Sequence, residues 1–92
     1  MDNPKIDAGG TKRWYDLNGK HHRTDGPAVE YAHGTKFWYL YGKQHRADGP
    51  AAEWADGDKW WYLNDKLLSF DRWLDEVDIS AEVKVMLKLK YG

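Results

Sequence analysis

The sequence contains no cysteine, so it offers no disulfide framework, no thiolate metal ligand and no cysteine nucleophile. Serine is nearly absent as well. Ser69 and Ser80 are its only members, and both stand where a helix would begin, so no Ser–His–Asp arrangement is suggested. No apolar run approaches the ~18 residues of a membrane-spanning helix, and no signal-peptide pattern opens the chain. Charge of a single sign is lacking too. Fourteen basic and 15 acidic residues are interspersed for a formal net charge of -1, with no basic stripe to grip nucleic acid. These absences point to a soluble, cytoplasmic protein of one domain, with no membrane association.

What the 92 residues do have is aromatic mass: six Trp, six Tyr and two Phe. Each can bury ~150–250 Å², enough for a few of them to build a core in so short a chain. Residues 1–11 (MDNPKIDAGGT) show no apolar period and read as a flexible tail.

Residues 12–68 repeat with a period of 23. Gly19, Arg23, Asp25, Gly26, Pro27 and Gly34 return as Gly42, Arg46, Asp48, Gly49, Pro50 and Gly57. Phe37, Trp38, Tyr39 and Leu40 return as Trp60, Trp61, Tyr62 and Leu63, after which the third copy stops. The first copy carries one extra residue near Asp16, the mark of a bulge. Each unit reads as an aromatic strand, a glycine turn, a second strand and another turn. The spacing predicts strands near 12–17, 27–32, 36–41, 50–55 and 59–64. Together they give a mainly β protein, an antiparallel meander of about five strands followed by C-terminal helices.

The duplicated phrase HRxDGPA has two readings. As scaffold, glycine supplies the bend, proline starts a strand, and Arg23 or Arg46 pairs with Asp25 or Asp48. As a site, His22, Arg23, His45 and Arg46 would hold a phosphate-bearing ligand. The scaffold reading accounts for every position without a substrate. A metal is poorly served, since His21 and His22 are adjacent on an extended chain and neither H-x3-H nor H-E-x-x-H occurs. A His–Asp pair repeated twice suggests repetition more than one asymmetric catalytic centre. No cofactor and no catalytic residue is expected.

The period, the aromatic strand and the phrase WYLNGKxHRxDGPA resemble a divergent form of the MORN repeat, common in small proteins of tailed bacteriophages and prophages. Tyr39-Leu40-Tyr41-Gly42-Lys43, Tyr62-Leu63-Asn64-Asp65-Lys66, His22-Arg23 and His45-Arg46 carry that phrase here. Ordinary MORN units place glycine sooner after the histidine, and Lys66 is followed by Leu67-Leu68 where a further His-Arg would stand. The resemblance implies stacked hairpins that serve as a binding or assembly surface. It implies a bacterial host cytoplasm and a host protein as partner, a defence component that is bound and inhibited. A nucleotide sponge and a virion or assembly component are the alternatives it leaves open.

Residues 69–92 read as a helical cap belonging to the same domain as the sheet. Phe70, Trp73, Leu74 and Val77 follow the Ser69 cap at helical spacing over 70–77, and Ser80 caps a second helix from 81 to about 90. In that second helix Val83, Met86 and Leu87 are expected on one face, with Val85 and Leu89 on another. On the strands, Phe37, Tyr39 and Tyr41 should share one face with Trp60 and Tyr62, Trp38 and Leu40 the other with Trp61 and Leu63, and Tyr31 and Trp54 should extend one of these two stripes. So small a chain cannot cover aromatic stripes on both faces. The candidate protein-binding residues are therefore Phe37, Tyr39, Tyr41, Trp54, Trp60, Tyr62, Val85 and Leu89, for a foreign protein or a homodimer.

Overall fold

Each repeat turns aromatic, β-branched and alternating charged residues into very short strands, and the computed structural model describes residues 3–92. The elements are β1 (Lys5–Ile6), β2 (Lys12–Arg13), β3 (Val29–Glu30), β4 (Lys36–Phe37), β5 (Tyr39–Leu40), β6 (Lys43–Gln44), β7 (Ala52–Glu53), β8 (Lys59–Leu63) and β9 (Lys66–Leu68). Helices α1 (Phe70–Glu76) and α2 (Ala81–Tyr91) follow. Every strand pair is antiparallel, in a seven-stranded order β1-β2-β3-β4-β7-β8-β9 with the β5-β6 hairpin set apart. The meander with C-terminal helices is as the sequence predicts, though its strands are shorter and more numerous.

The expected strand 36–41 divides at Trp38, because its two halves take different partners. Lys36 and Phe37 pair with β3 and β7, whereas Tyr39 and Leu40 fold back on β6. The expected strand 12–17 divides in the same place: past Arg13, only Tyr15 bridges to His21. The hairpin turns Tyr41-Gly42 and Asn64-Asp65 have positive φ at both central residues (50° and 82°, then 49° and 69°). That is the mirror-image turn whose twist suits a two-residue hairpin.

Part of the expected tail is structured. Met1 and Asp2 lie outside the described residues, but β1 pairs with β2, and Thr11 is buried. The cause is Asp7, whose carboxylate accepts from the N–H groups of Gly9 (2.9 Å) and Thr11 (3.1 Å) and binds Arg13 at 3.0 Å. These bonds close a turn that composition alone reads as loop. They also hold the Asp7 carboxyl below the usual carboxylate range, the Arg13 bond first among them.

Repeats stack through backbone bonds that recur from copy to copy. Gly42 N–H donates to the His21 carbonyl and Asp65 N–H to the Gln44 carbonyl, each at 2.8 Å. Arg23 N–H reaches the Tyr39 carbonyl at 3.1 Å, and Arg46 N–H the Tyr62 carbonyl at 3.4 Å. The extra residue of the first copy closes the opposite end of this ladder. Asp16 accepts from the N–H groups of Asn18 (2.8 Å) and Lys20 (3.0 Å), so the first turn bonds to itself.

The helices finish the array. Ser69 and Ser80 accept from Arg72 N–H and Val83 N–H as N-caps. Trp61, Trp73, Leu74, Val77 and Leu87 form the core cluster, with Phe70 and Tyr91 packed on it. Of the residues expected on one face of α2, only Leu87 is buried; Val83 and Met86 are exposed. Leu87 and Tyr91 lie one turn apart, and that turn sets the inward side.

Candidate functional site

Two faces of the sheet have distinct chemistry because neighbouring residues on a strand point oppositely. On one face, Trp14 and Trp38 are each covered by an arginine. The Arg23 guanidinium lies 3.9 Å from the Trp14 ring centre, and that of Arg46 lies 3.9 Å from Trp38. Arg46 donates from Nε to Asp48 at 2.8 Å, and from one terminal nitrogen to the Pro50 carbonyl and to Glu53, each at 3.0 Å. Arg23 repeats the set with Asp25 (2.9 Å), the Pro27 carbonyl (3.2 Å) and Glu30 (3.0 Å). A Cβ at position 49 would stand 2.7 Å from Arg46 Cζ, so glycine there is what lets the guanidinium lie against the loop.

The histidines of the phrase join adjacent repeats. His22 Nδ1 accepts from Tyr41 N–H at 2.9 Å, and His45 Nδ1 from Asn64 N–H at 3.1 Å. The donors are the positive-φ residues of the next hairpin turn. His22, Arg23, His45 and Arg46 are thus brought together in two equivalent clusters, each engaged in building the repeat. A groove of about 510 Å³ runs between the two loops, lined by Arg23, Asp25, Trp38, His45, Arg46 and Asp48 among others. Each guanidinium beside it has an aspartate partner, so the groove carries balanced charge.

An accepting Nδ1 requires the neutral ring with its single proton on Nε2. Burial pushes the His45 imidazole below its ordinary value of 6.5, and does the same to His21, where the nearby Arg13 charge adds to it. A lowered histidine pKa means the unfolded chain takes up protons that the folded chain refuses. Stability from these two groups is complete above about 6.5 and declines as pH falls through that value. Urea midpoints measured from pH 8 down to 5 should fall in the lower half of the series. His45→Asn, which keeps an acceptor but cannot be protonated there, should flatten that fall; an unchanged slope would remove His45 from the account.

The opposite face carries a row of rings in edge-to-face contact. Tyr31 meets Phe37 (5.7 Å, 85°), Phe37 meets Trp54 (5.1 Å, 78°), and Trp54 meets Trp60 (5.4 Å, 61°). The register Val29–Phe37–Ala52–Trp60 sets these residues side by side across four strands. Trp54 is 37% and Trp60 44% exposed. Tyr39 packs tilted against His21 (5.2 Å, 39°), which stacks on Tyr15, and Tyr62 is half-buried. Tyr41 leaves the expected stripe. As a turn residue it rests on His22 at 4.2 Å and is otherwise exposed, since positive φ swings it off the strand. Val85 and Leu89 stand apart on α2, exposed beside Met86.

The third repeat has no arginine to cover its tryptophan, and the helix supplies the substitute. Trp73 lies 4.7 Å from Trp61 and donates from Nε1 to the Arg46 carbonyl at 3.1 Å. The Trp–Arg stacks were not anticipated from the sequence, although the recurrence of Trp14 with Arg23 and Trp38 with Arg46 carried the signal. Among the described residues no three His, Asp or Glu side chains gather as a metal would need, and no helix is long and apolar enough to cross a membrane. No family model, curated protein or solved structure matches the chain.

Proposed function

We propose that the protein is a non-enzymatic module that binds another protein on the Tyr31–Phe37–Trp54–Trp60 row. One observation carries this reading. The helices cover Trp61, while Trp60, its neighbour on the same strand, and Trp54 remain more than a third exposed on the other face. Large aromatics left open in a contiguous row are the usual anchors of a protein interface. The resemblance to phage repeat proteins makes the partner a protein of the bacterial host, and inhibition of a defence component the proposed outcome. Sequestration of a nucleotide-type signal is the second reading, favoured only by the groove between the two loops.

The test is Trp54→Ala with Trp60→Ala. The double variant should remain folded, within about 2 kcal/mol of the wild type, because it loses ring contacts at a surface and opens no cavity in the core. Tagged wild-type protein should retain a host polypeptide from bacterial lysate that the variant does not. Equal retention by both would remove the aromatic row as the binding surface.

A further inference from the structure

The ladder of repeats is closed at its first turn by Asp16 and open at its last hairpin. In the middle hairpin, Gln44 turns both its backbone groups away from β5 toward the next repeat. Its N–H donates to the Asp65 carboxylate at 2.7 Å, and its carbonyl accepts from Asp65 N–H at 2.8 Å. Leu67 is the same position 23 residues on. The register is also the same, with Leu40↔Lys43 next to one two-residue turn and Leu63↔Lys66 next to the other. The N–H and carbonyl of Leu67 therefore face outward, where a fourth repeat would stack.

After Leu68 the chain enters α1 in place of a fourth repeat. Strand β9 pairs only with β8, and among the described residues no side chain or loop bonds to Leu67. Its side chain is 56% exposed, at the mouth of a hollow of about 470 Å³ shared with Trp60, Leu68 and Phe70. Natural sheets blunt such edges with charge, proline or a covering element, and this position carries a leucine instead.

We propose that two copies of the chain join through β9, antiparallel about a two-fold axis at Leu67. Each Leu67 N–H would donate to the other copy's Leu67 carbonyl, so that the second copy supplies what Asp65 supplies to Gln44. The interface would use on Leu67 the outward N–H and carbonyl that Gln44 turns to the next repeat, here strand to strand about the two-fold axis. It is isologous, so this contact closes at two copies. The contact is made by the backbone groups of β9 and not by the rings of the row, although Trp60 borders the same hollow, so loss of the dimer and loss of host-protein binding are read by separate variants. It is small, which makes the dimer a weak one at the low end of specific interfaces.

The experiment is sedimentation equilibrium on the full chain across a concentration series, together with hydrogen exchange at the Leu67 amide. The wild type should shift from monomer to dimer, and the Leu67 amide should slow as dimer forms. Leu67→Lys keeps the backbone groups but places like charges across the axis, and should weaken association by about tenfold or more. Leu67→Pro removes the donor and should abolish it, with far-UV circular dichroism checking the fold. If that variant misfolds, Leu67→Lys and the exchange rate decide. A chain that stays monomeric throughout, or a dimer in which the Leu67 amide exchanges as fast as in the monomer, overturns the proposal.

Discussion

Trp73→Ala should leave the protein unfolded, or close to it, at room temperature. Trp73 is fully buried and is the largest side chain so placed. It packs on Trp61 and Phe70, and its indole N–H satisfies the Arg46 carbonyl. Removing a buried tryptophan costs about 3–5 kcal/mol, and leaving that carbonyl unpaired adds about 1–3 kcal/mol. A domain of this size holds only about 5–14 kcal/mol in total. Trp73→Phe separates the two contributions, since it keeps much of the packing and loses the hydrogen bond; about 1–3 kcal/mol should go. Urea denaturation followed by far-UV circular dichroism reads both variants. A cooperative Trp73→Ala transition near the wild-type midpoint would mean that α1 is not the cap the array depends on.

The second large effect is expected at Arg46, whose side chain is 16% exposed. Arg46→Ala uncovers Trp38 and strands both Glu53 and the Pro50 carbonyl, so about 2–4 kcal/mol should be lost. Arg46→Lys should recover little of it. A lysine is a point charge and cannot lie flat on an indole while serving three acceptors from fixed directions. The visible partner of the phrase contributes least. Asp48 is 79% exposed, so Asp48→Ala should change stability by no more than about 1 kcal/mol. Equal losses from the two alanine variants would contradict the ranking. No loss from Arg46→Ala would free that arginine for a ligand.

The period, the paired glycine turns, both serine caps and the meander were legible because each depends on residues close in sequence. Ser69 sits three residues before Arg72, and the Tyr41-Gly42 turn carries a glycine where φ is positive. What was hidden depends on distant partners. Nothing within Phe37-Trp38-Tyr39 marks Trp38 as the point where the chain exchanges β3 and β7 for β6. The Asp7 turn escaped notice because glycine and aspartate dominate the stretch, and only the Arg13 contact shows that it is held. For the candidate site, Phe37 and Trp60 could be placed on one face by alternation and the period of 23, whereas Trp54 joins them only through the register of β4, β7 and β8. Tyr41 could not, since the same alternation ignores the turn. The covering of Trp38 by Arg46 required the loop to fold back across the strand, which spacing does not reveal.

The repeated phrase as scaffold and the aromatic row as working surface can be separated in one measurement. Native mass spectrometry would be run on tagged protein purified gently from bacterial lysate, as wild type, as Trp54→Ala with Trp60→Ala, and as Ala47→Tyr. The last substitution fills the groove between the loops from an exposed position. The expected result is a host polypeptide retained by the wild type and by Ala47→Tyr, and lost from the double variant. A small-molecule mass retained by the wild type and the double variant, and lost from Ala47→Tyr, would contradict the account and make HRxDGPA the ligand-binding phrase.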